Sequence, residues 1–262
     1  MHRATYRLAA FAALLYAVAC NAAAQAPAAA PLIKQDAARK VAEHTFVILD
    51  DNVGMVPNVG IVIGERATLI VDTGLGERNG AIVLGEARKL GATPKFYLTA
   101  THFHPEHDLG ATAFPDDAEM VRWRTQQTEA EEQGAQMIER FASFSAANAE
   151  LLEGARFRPV DTLFDDEIRL DLGGVHVRIK GVGPNHTRGD TVMFVEEDRV
   201  LFTGDVVMAV FPAASGQAGS VDEAQQSLAP ALAQRFAELA PASGPPTGRI
   251  NAAIQAAYRE AP

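Results

Sequence analysis

Cysteine is nearly absent from the 262 residues of this chain, and its single copy, Cys20, lies in an N-terminal segment with the pattern of a signal peptide. Arg3 and Arg7 precede an apolar run over residues 8–19, and small residues follow it at positions 22–24. Cleavage after residue 24 would leave a chain without cysteine, which excludes disulfides and thiolate metal ligands. We therefore predict that residues 1–25 are a signal peptide and that the protein is periplasmic or secreted.

Long apolar runs are also lacking. The run over residues 8–19 is shorter than the roughly 20 residues that a membrane-spanning helix needs, so no integral membrane span is expected. The sequence Ala-Val-Ala-Cys at residues 17–20 offers an alternative, in which Cys20 is lipidated and anchors the protein. A leucine three positions before the cysteine is expected at such a site, whereas the chain has Ala17. Export without a lipid anchor is therefore the preferred interpretation.

Basic side chains are outnumbered, since 23 Lys and Arg face 33 Asp and Glu. Residues 1–25 contain two arginines and no acid, so their removal changes the net charge from −10 to −12. A field of this sign repels nucleic acid before contact. The composition therefore argues against a nucleic-acid partner and favours a small-molecule substrate.

One large domain is predicted after a linker. Residues 26–43 are rich in alanine and proline and predict a loose linker. A hydrophobic content of 48% is ample for the core of a single domain over residues 44–262. The predicted elements are strands at 45–49, 59–63, 68–71 and 96–100, and a helix over 80–90. A strand, helix, strand order predicts helices packed on a sheet.

Two segments beside this sheet each have two interpretations. Residues 116–154 are charged and helical, and they form either an insertion that makes one wall of a pocket or a plain amphipathic helix buried on the sheet. The loop over residues 50–57 is polar at its start and apolar at its tip. It either folds over a substrate or is an ordinary hairpin loop.

The segment from Thr101 to Asp108 contains three histidines and two carboxylates directly after an apolar strand. Side chains at i and i+2 of an extended segment lie on the same side, so His102 and His104 can converge on one ion. Glu106 and His107 follow a proline, where the chain turns. Imidazole and carboxylate suit Zn²⁺, and less often Fe²⁺ or Mn²⁺. The segment therefore predicts a metal site, with a histidine-rich surface loop as the alternative.

Two later segments extend the pattern. Residues 183–191 form a Gly/Pro/Asn loop that delivers His186, and a hydrophobic strand over residues 199–203 leads to Asp205. In this order, the set resembles the metallo-β-lactamase superfamily, whose signature is His-x-His-x-Asp-His, a lone His, a lone Asp and a last His. The resemblance covers about residues 44–250. It implies a four-layer αββα sandwich with the site at one edge of two mixed sheets.

The resemblance also implies a ligand set and a reaction. His102, His104 and His186 would bind the first Zn²⁺, and His107, Asp205 and Glu106 the second. A hydroxide on the first zinc would attack an amide or ester carbonyl of a β-lactam, lactone or thioester, with Glu106 as a possible general base. The protein is thus expected to be a secreted zinc-dependent hydrolase. Two further acids, Asp72 and Asp190, are expected to orient the site, with turn capping as the alternative for Asp72.

The chain departs from the signature in two places. Glu106 replaces the usual aspartate, and no histidine follows His186. Ser243 occupies the place of the last histidine, or the segment that carries it is deleted; the lack of a β-branched run before Gly244 favours deletion. The second zinc is therefore expected to bind more weakly than the first. A degenerate metal-binding protein with little turnover is the alternative function.

Many β-lactam-cleaving relatives carry a lysine where this chain has Met208, and Arg188 could substitute for it. His176 lies in an alternating strand on its polar side, so no functional role is expected for it.

Overall fold

Two β-sheets organise the computed structural model, which describes residues 28–51 and 53–207. The first sheet has seven strands in the order β1 to β7, and the second has four in the order β11-β10-β9-β8. The strands are β1 (Ala38–Lys40), β2 (Thr45–Ile48), β3 (Val59–Ile63), β4 (Thr68–Val71), β5 (Phe96–Thr99), β6 (Glu119–Trp123), β7 (Thr162–Phe164), β8 (Glu167–Asp171), β9 (His176–Gly181), β10 (Thr191–Val195) and β11 (Val200–Phe202).

The strand pairing of the first sheet changes from antiparallel to parallel at β4. Strands β1 to β4 pair antiparallel, as consecutive hairpins do, whereas β4, β5, β6 and β7 pair parallel. Parallel neighbours need a crossover, and the helix α1 (Gly76–Lys89) supplies it between β4 and β5. The other α-helices of the described residues are α2 (Pro105–Asp108), α3 (Arg124–Ala142) and α4 (Ala146–Leu151). The second sheet is antiparallel throughout.

A buried apolar layer joins the two sheets. Leu69 and Val71 of the first sheet lie in one cluster with Val177, Ile179 and Met193 of the second. The opposite face of the first sheet packs on α1, where Val83 and Ala87 meet Ile70 and Leu98. Strands buried on both faces read as continuous apolar runs, which is the pattern of β3, β4 and β5. This mixed α/β arrangement of two sheets and helices confirms the predicted fold class.

Three predicted segments differ from the structure. The predicted linker contains strand β1 and a buried Ile33, because the Asn79 carboxamide oxygen accepts hydrogen bonds from the Leu32 and Ile33 amides at 2.8 and 2.9 Å. The helix predicted from residue 80 begins at Gly76. The predicted helical segment at 116–154 contains α3 and α4 but also strand β6.

Several predictions concern residues outside those described. They are the signal peptide with Cys20, the comparison at Met208 and the place of Ser243. Among the described residues, no helix combines the length and apolarity needed to cross a membrane.

Candidate metal centre

Three histidines follow the end of β5 in the parallel part of the first sheet. His104 is extended, with φ of −63° and ψ of 148°, and Pro105 is the first residue of α2. Proline is well suited to a first helical position because its φ is already fixed there and its missing N–H has no helical partner. The chain therefore turns between His104 and Glu106, which places His107 on the helix and His102 before it.

A group of three imidazoles forms the first candidate site. One nitrogen each of His102, His104 and His186 lies within 4.8 Å of the others. His186 Nε2 is 3.2 Å from His104 Nδ1. Ligands of one zinc ion, each about 2 Å from the metal, lie at such separations from one another. The structure thus brings together the three residues predicted for the first ion.

Asp205 reaches the same place from the second sheet. After β11, a short 3-10 turn covers Gly204–Val206, and Gly204 has a φ of +49°. A Cβ at Gly204 would lie 2.3 Å from the Thr101 hydroxyl, so only glycine lets the chain pass there. The Asp205 carboxylate is then 3.5 Å from His107 Nε2 and 3.6 Å from His186 Nε2.

A second group consists of His102, His107 and Asp205. It shares His102 with the first group, and Glu106 belongs to neither group. The Glu106 carboxylate is nevertheless close, with Oε1 4.0 Å from His107 Nε2. Within the described part of the chain, both His102 Nε2 and Glu106 Oε2 are buried without a hydrogen-bond partner. Buried polar atoms without partners are costly, and a bound cation would satisfy both.

Burial determines the protonation of two histidines of the first group, His102 and His104. It lowers the pKa of His102 well below its ordinary value, and the neighbouring histidines lower it further. Burial also lowers the pKa of His104 to about 3, with a contribution from His186. Both imidazoles are therefore neutral at pH 7, which is the state that binds a metal ion.

The acidic side of the centre behaves in the opposite sense. Burial raises the pKa of Glu106 to about 7, with smaller contributions from Asp205 and Asp72. For His107, burial favours the neutral form, but the Asp72 and Asp205 carboxylates outweigh it and raise the pKa to about 10. The Asp72 and Asp205 carboxylates thus favour the protonated form of the His107 imidazole.

Asp72 contacts the histidine segment at Thr101 and His107. Its carboxylate lies 2.9 Å from His107 Nδ1 and accepts hydrogen bonds from the Thr101 amide at 2.7 Å and the Thr101 hydroxyl at 3.0 Å. A carboxylate on one ring nitrogen leaves the other, Nε2, facing the centre. Asp72 thus contacts His107, while its orienting role stays a prediction.

Asp190 shapes the loop that carries His186. It accepts hydrogen bonds from the Thr187 hydroxyl at 2.6 Å, the Thr187 amide at 2.9 Å and the Asn185 amide at 3.1 Å. The following residue, Thr191, donates its amide to the Thr101 carbonyl at 2.7 Å, which ties this loop to the first sheet.

Two residues of α3 that the sequence did not single out also contact this loop. Gln126 and Glu129 are buried and make hydrogen bonds to the backbone of residues 188 and 189. Polar residues on a charged helix give no sequence signal of burial, so only the packing of α3 identifies them.

A buried ion pair lies behind α2. Arg122 Nη2 is 2.7 Å from Asp108 Oδ2 and 2.9 Å from Oδ1, and neither side chain is exposed. The Arg122 guanidinium also lies over the Phe157 ring, 5.8 Å from its centroid. Asp108 directly follows His107, so this pair fixes the helix that carries a candidate ligand. Asp108 belongs to the histidine-rich segment, but its place in the sequence predicts no role for it.

Two other predicted residues are engaged elsewhere. The Arg188 guanidinium contacts Glu132 and lies 3.7 Å from Glu129, so its charge is already compensated within the protein. His176 Nδ1 is 2.6 Å from Glu197, in a separate group with Glu196. Neither residue belongs to the two groups at the metal centre.

Aromatic side chains from α3 and the turn after it line one side of the centre. The Phe141 ring centroid is 5.7 Å from that of His104 and 5.1 Å from that of Phe144. Phe144 is half exposed, at 50%. The segment predicted as a helical insertion thus places a buried phenylalanine against His104 and a half-exposed one beside it.

Comparison with solved structures shows proteins of similar fold. The chain resembles FEZ-1 metallo-β-lactamase from Legionella gormanii, with 16% identity and a TM-score of 0.55 over 87% of this chain and 95% of that one. For DIM-1 metallo-β-lactamase exposed to ceftazidime, the identity is 20% and the TM-score 0.54 over 79% and 86%. A double mutant of the sec-alkyl sulfatase PisA1 gives 16% and 0.51 over 65% of this chain, which spans only 31% of that one.

No curated protein matches the chain. The family model of the metallo-beta-lactamase superfamily, however, matches residues 53–239, well over half of the chain. Those residues include every candidate ligand and both sheets from β3 onward. The chain therefore belongs to the metallo-β-lactamase superfamily.

Proposed function

We propose that this protein is an exported zinc-dependent hydrolase that cleaves an amide or ester carbonyl. Membership of the superfamily supports metal-dependent hydrolysis in general. The observation that carries the finer proposal is the group of three histidine nitrogens within 4.8 Å of one another, beside the buried Glu106. Three neutral nitrogen ligands with room for a further one are typical of a catalytic zinc site.

The donor set fits one tightly held zinc. His102, His104 and His186 would hold it, and the free, buried Nε2 of His102 supports that assignment. His102 also belongs to the second group, but one nitrogen cannot serve two ions. A second ion would therefore depend on His107 and Asp205, with Glu106 as the remaining nearby acid.

Different residues of the chain have different roles in the proposed hydrolysis. When bound, zinc acts as a Lewis acid and lowers the pKa of water to about 7. Glu106 has a carboxylate oxygen without a partner and a pKa raised by burial to about 7, so it can accept a proton from the attacking water and return it to the leaving group. Asp72 keeps His107 in one orientation during these transfers.

The half-exposed Phe144 packs on the buried Phe141, which contacts His104, and this exposed ring favours a substrate with an apolar group near the reacting carbonyl. β-Lactams, lactones and thioesters are the classes to compare. Since Arg188 is paired within the protein, it is a poor anchor for a substrate carboxylate. A β-lactam is still the first compound to test, because two similar structures are metallo-β-lactamases by name.

The experiment is metal analysis of the purified chain from residue 25 onward, after dialysis against a mild chelator, followed by hydrolysis assays with one compound of each class. Bound zinc together with turnover of one class supports the proposal. Bound zinc without turnover of any class would favour the degenerate, metal-binding alternative, which the missing last histidine motivates. Absence of zinc would refute both.

Export is the second part of the proposal. Expression of the whole chain in a Gram-negative host, followed by fractionation and N-terminal sequencing of the product, tests it. A periplasmic product that begins near residue 25 is expected, whereas a product that begins at a lipidated Cys20 would indicate membrane anchoring.

A further inference from the structure

Helix α3 contacts the His186 loop through a buried carboxylate. Glu129 Oε1 accepts a hydrogen bond from the Arg188 amide at 3.2 Å, and Oε2 accepts one from the Gly189 amide at 2.8 Å. Both oxygens therefore serve the backbone of the loop, within three residues of His186. Amide donors to a carboxylate make charge-assisted hydrogen bonds, which are stronger than neutral ones.

A second side chain of α3 connects this loop to the other histidines. The fully buried Gln126 donates from Nε2 to the Ala100 carbonyl at 3.0 Å and to the Gly189 carbonyl at 3.1 Å. Ala100 lies two residues before His102. One carboxamide thus links the segment that carries His102 to the segment that carries His186.

The backbones of the helix and the loop are in direct contact. A Cβ at Gly189 would lie 2.4 Å from Gln126 Cα, well below any real contact distance. The loop therefore sits against the first turn of α3, and a small displacement of that turn would displace His186. Among the described residues, Glu129 belongs to none of the groups that could hold a metal ion.

We infer that Gln126 and Glu129 are positioning residues that set His186 against His102 and His104 and so determine the zinc affinity of the first site. This inference rests on the proposed function, in which these histidines hold zinc. A change from carboxylate to carboxamide at Glu129 leaves its size unchanged but replaces one acceptor with a donor. One loop amide then loses its partner, and the loss of such a supporting contact typically lowers metal affinity by about 10 to 100-fold.

The test compares Glu129→Gln with the matched control Glu132→Gln. Glu132 lies one turn further along α3 and contacts the exposed Arg188 side chain. Three quantities are measured: the zinc Kd in competition with a chromophoric chelator, the visible spectrum of the Co²⁺ form, and hydrogen exchange at the Arg188 and Gly189 amides in metal-free protein. We expect Glu129→Gln to weaken zinc binding about 10 to 100-fold, to alter the Co²⁺ spectrum and to accelerate exchange at the two amides. Glu132→Gln should change none of the three.

Gln126→Met provides an independent variant of similar length, should Glu129→Gln fold poorly, and the same direction of change is expected. Unchanged exchange or unchanged zinc affinity in a folded variant would overturn the inference. His186→Ala separates this failure from failure of the proposed function. If His186→Ala bound zinc as tightly as the unmodified protein, the three-histidine site would be wrong and the affinity claim with it. The exchange rates would still decide whether Glu129 holds the loop.

Discussion

At the scale of single residues, the centre depends on His102, which is buried and belongs to both candidate groups. We predict that His102→Ala abolishes zinc binding at the first site and, with it, hydrolysis, because two histidines alone leave the ion poorly held. Zinc content after dialysis and the rate of substrate cleavage are the measurements. His176→Ala is the control, since His176 pairs with Glu197, and it should retain both properties. Full zinc content and rate in His102→Ala would contradict the assignment.

Glu106 gives a second prediction at this scale. Glu106→Gln should keep most of the first-site zinc but lower kcat by about 10² to 10⁴-fold, because a carboxamide cannot take the proton of the attacking water. Steady-state kinetics with parallel metal analysis measures both. Glu119→Gln, an exposed partner of Lys95, should leave kcat unchanged. A Glu106→Gln enzyme as fast as the original would remove Glu106 from the mechanism.

The sequence predicts the ligands better than the residues that support them. His102 and His104 could be identified because i, i+2 spacing places two imidazoles on one side, and imidazole itself indicates metal binding. Glu129 could not, because its role depends on a loop 60 residues away and on which face of α3 is buried. A glutamate on a charged helix has the same appearance in sequence whether it faces solvent or a backbone amide.

At the scale of elements, the Arg122–Asp108 pair joins β6 to α2 in the interior. We predict that Arg122→Ala lowers the free energy of unfolding by about 3–5 kcal/mol, because it leaves a buried carboxylate without its partner. Urea denaturation followed by circular dichroism measures the change. Arg124→Ala, which removes an exposed pair with Asp165, should cost about 1 kcal/mol or less. Equal effects of the two substitutions would show that the buried pair has no special role.

The bounds of the strands were more predictable than the start of the helix α1. β3 and β4 have the predicted bounds because apolar runs between turn residues define them. The start of α1 was missed because its first turn, Gly76 to Asn79, has no apolar residue to show the helical period. Asn79 is buried there and accepts hydrogen bonds from residues 32 and 33, which explains why part of the predicted linker is held against the helix. Such long-range hydrogen bonds leave no periodic pattern in a sequence.

At the scale of the whole molecule, the first site has ligands from loops of both sheets, so metal binding and folding are linked. We predict that zinc raises the free energy of unfolding, by about 4 kcal/mol when free zinc is 1,000 times its Kd. Thermal unfolding with zinc and with a chelator measures the shift in Tm. His186→Ala should lose most of this dependence. An equal Tm with and without zinc would mean that the native state does not bind the ion preferentially.

The number of zinc ions bound per chain is also a property of the whole molecule. One zinc per chain should survive mild chelation, and a second should load only in excess metal, because His102 cannot serve both groups. Elemental analysis before and after dialysis distinguishes the two cases. Two retained ions would mean that Ser243, a neighbouring group or another chain supplies the missing ligand.

The spacing of the ligands along the chain also has a consequence for the order of folding. His104 and His186 are neighbours in space but 82 residues apart in sequence. His104 follows β5 of the first sheet, and His186 follows β9 of the second. An unfolded chain therefore offers zinc only the local cluster after β5, with weak affinity. The complete ligand shell forms when the two sheets dock, so the absorption of bound Co²⁺ would develop together with that docking and report its rate.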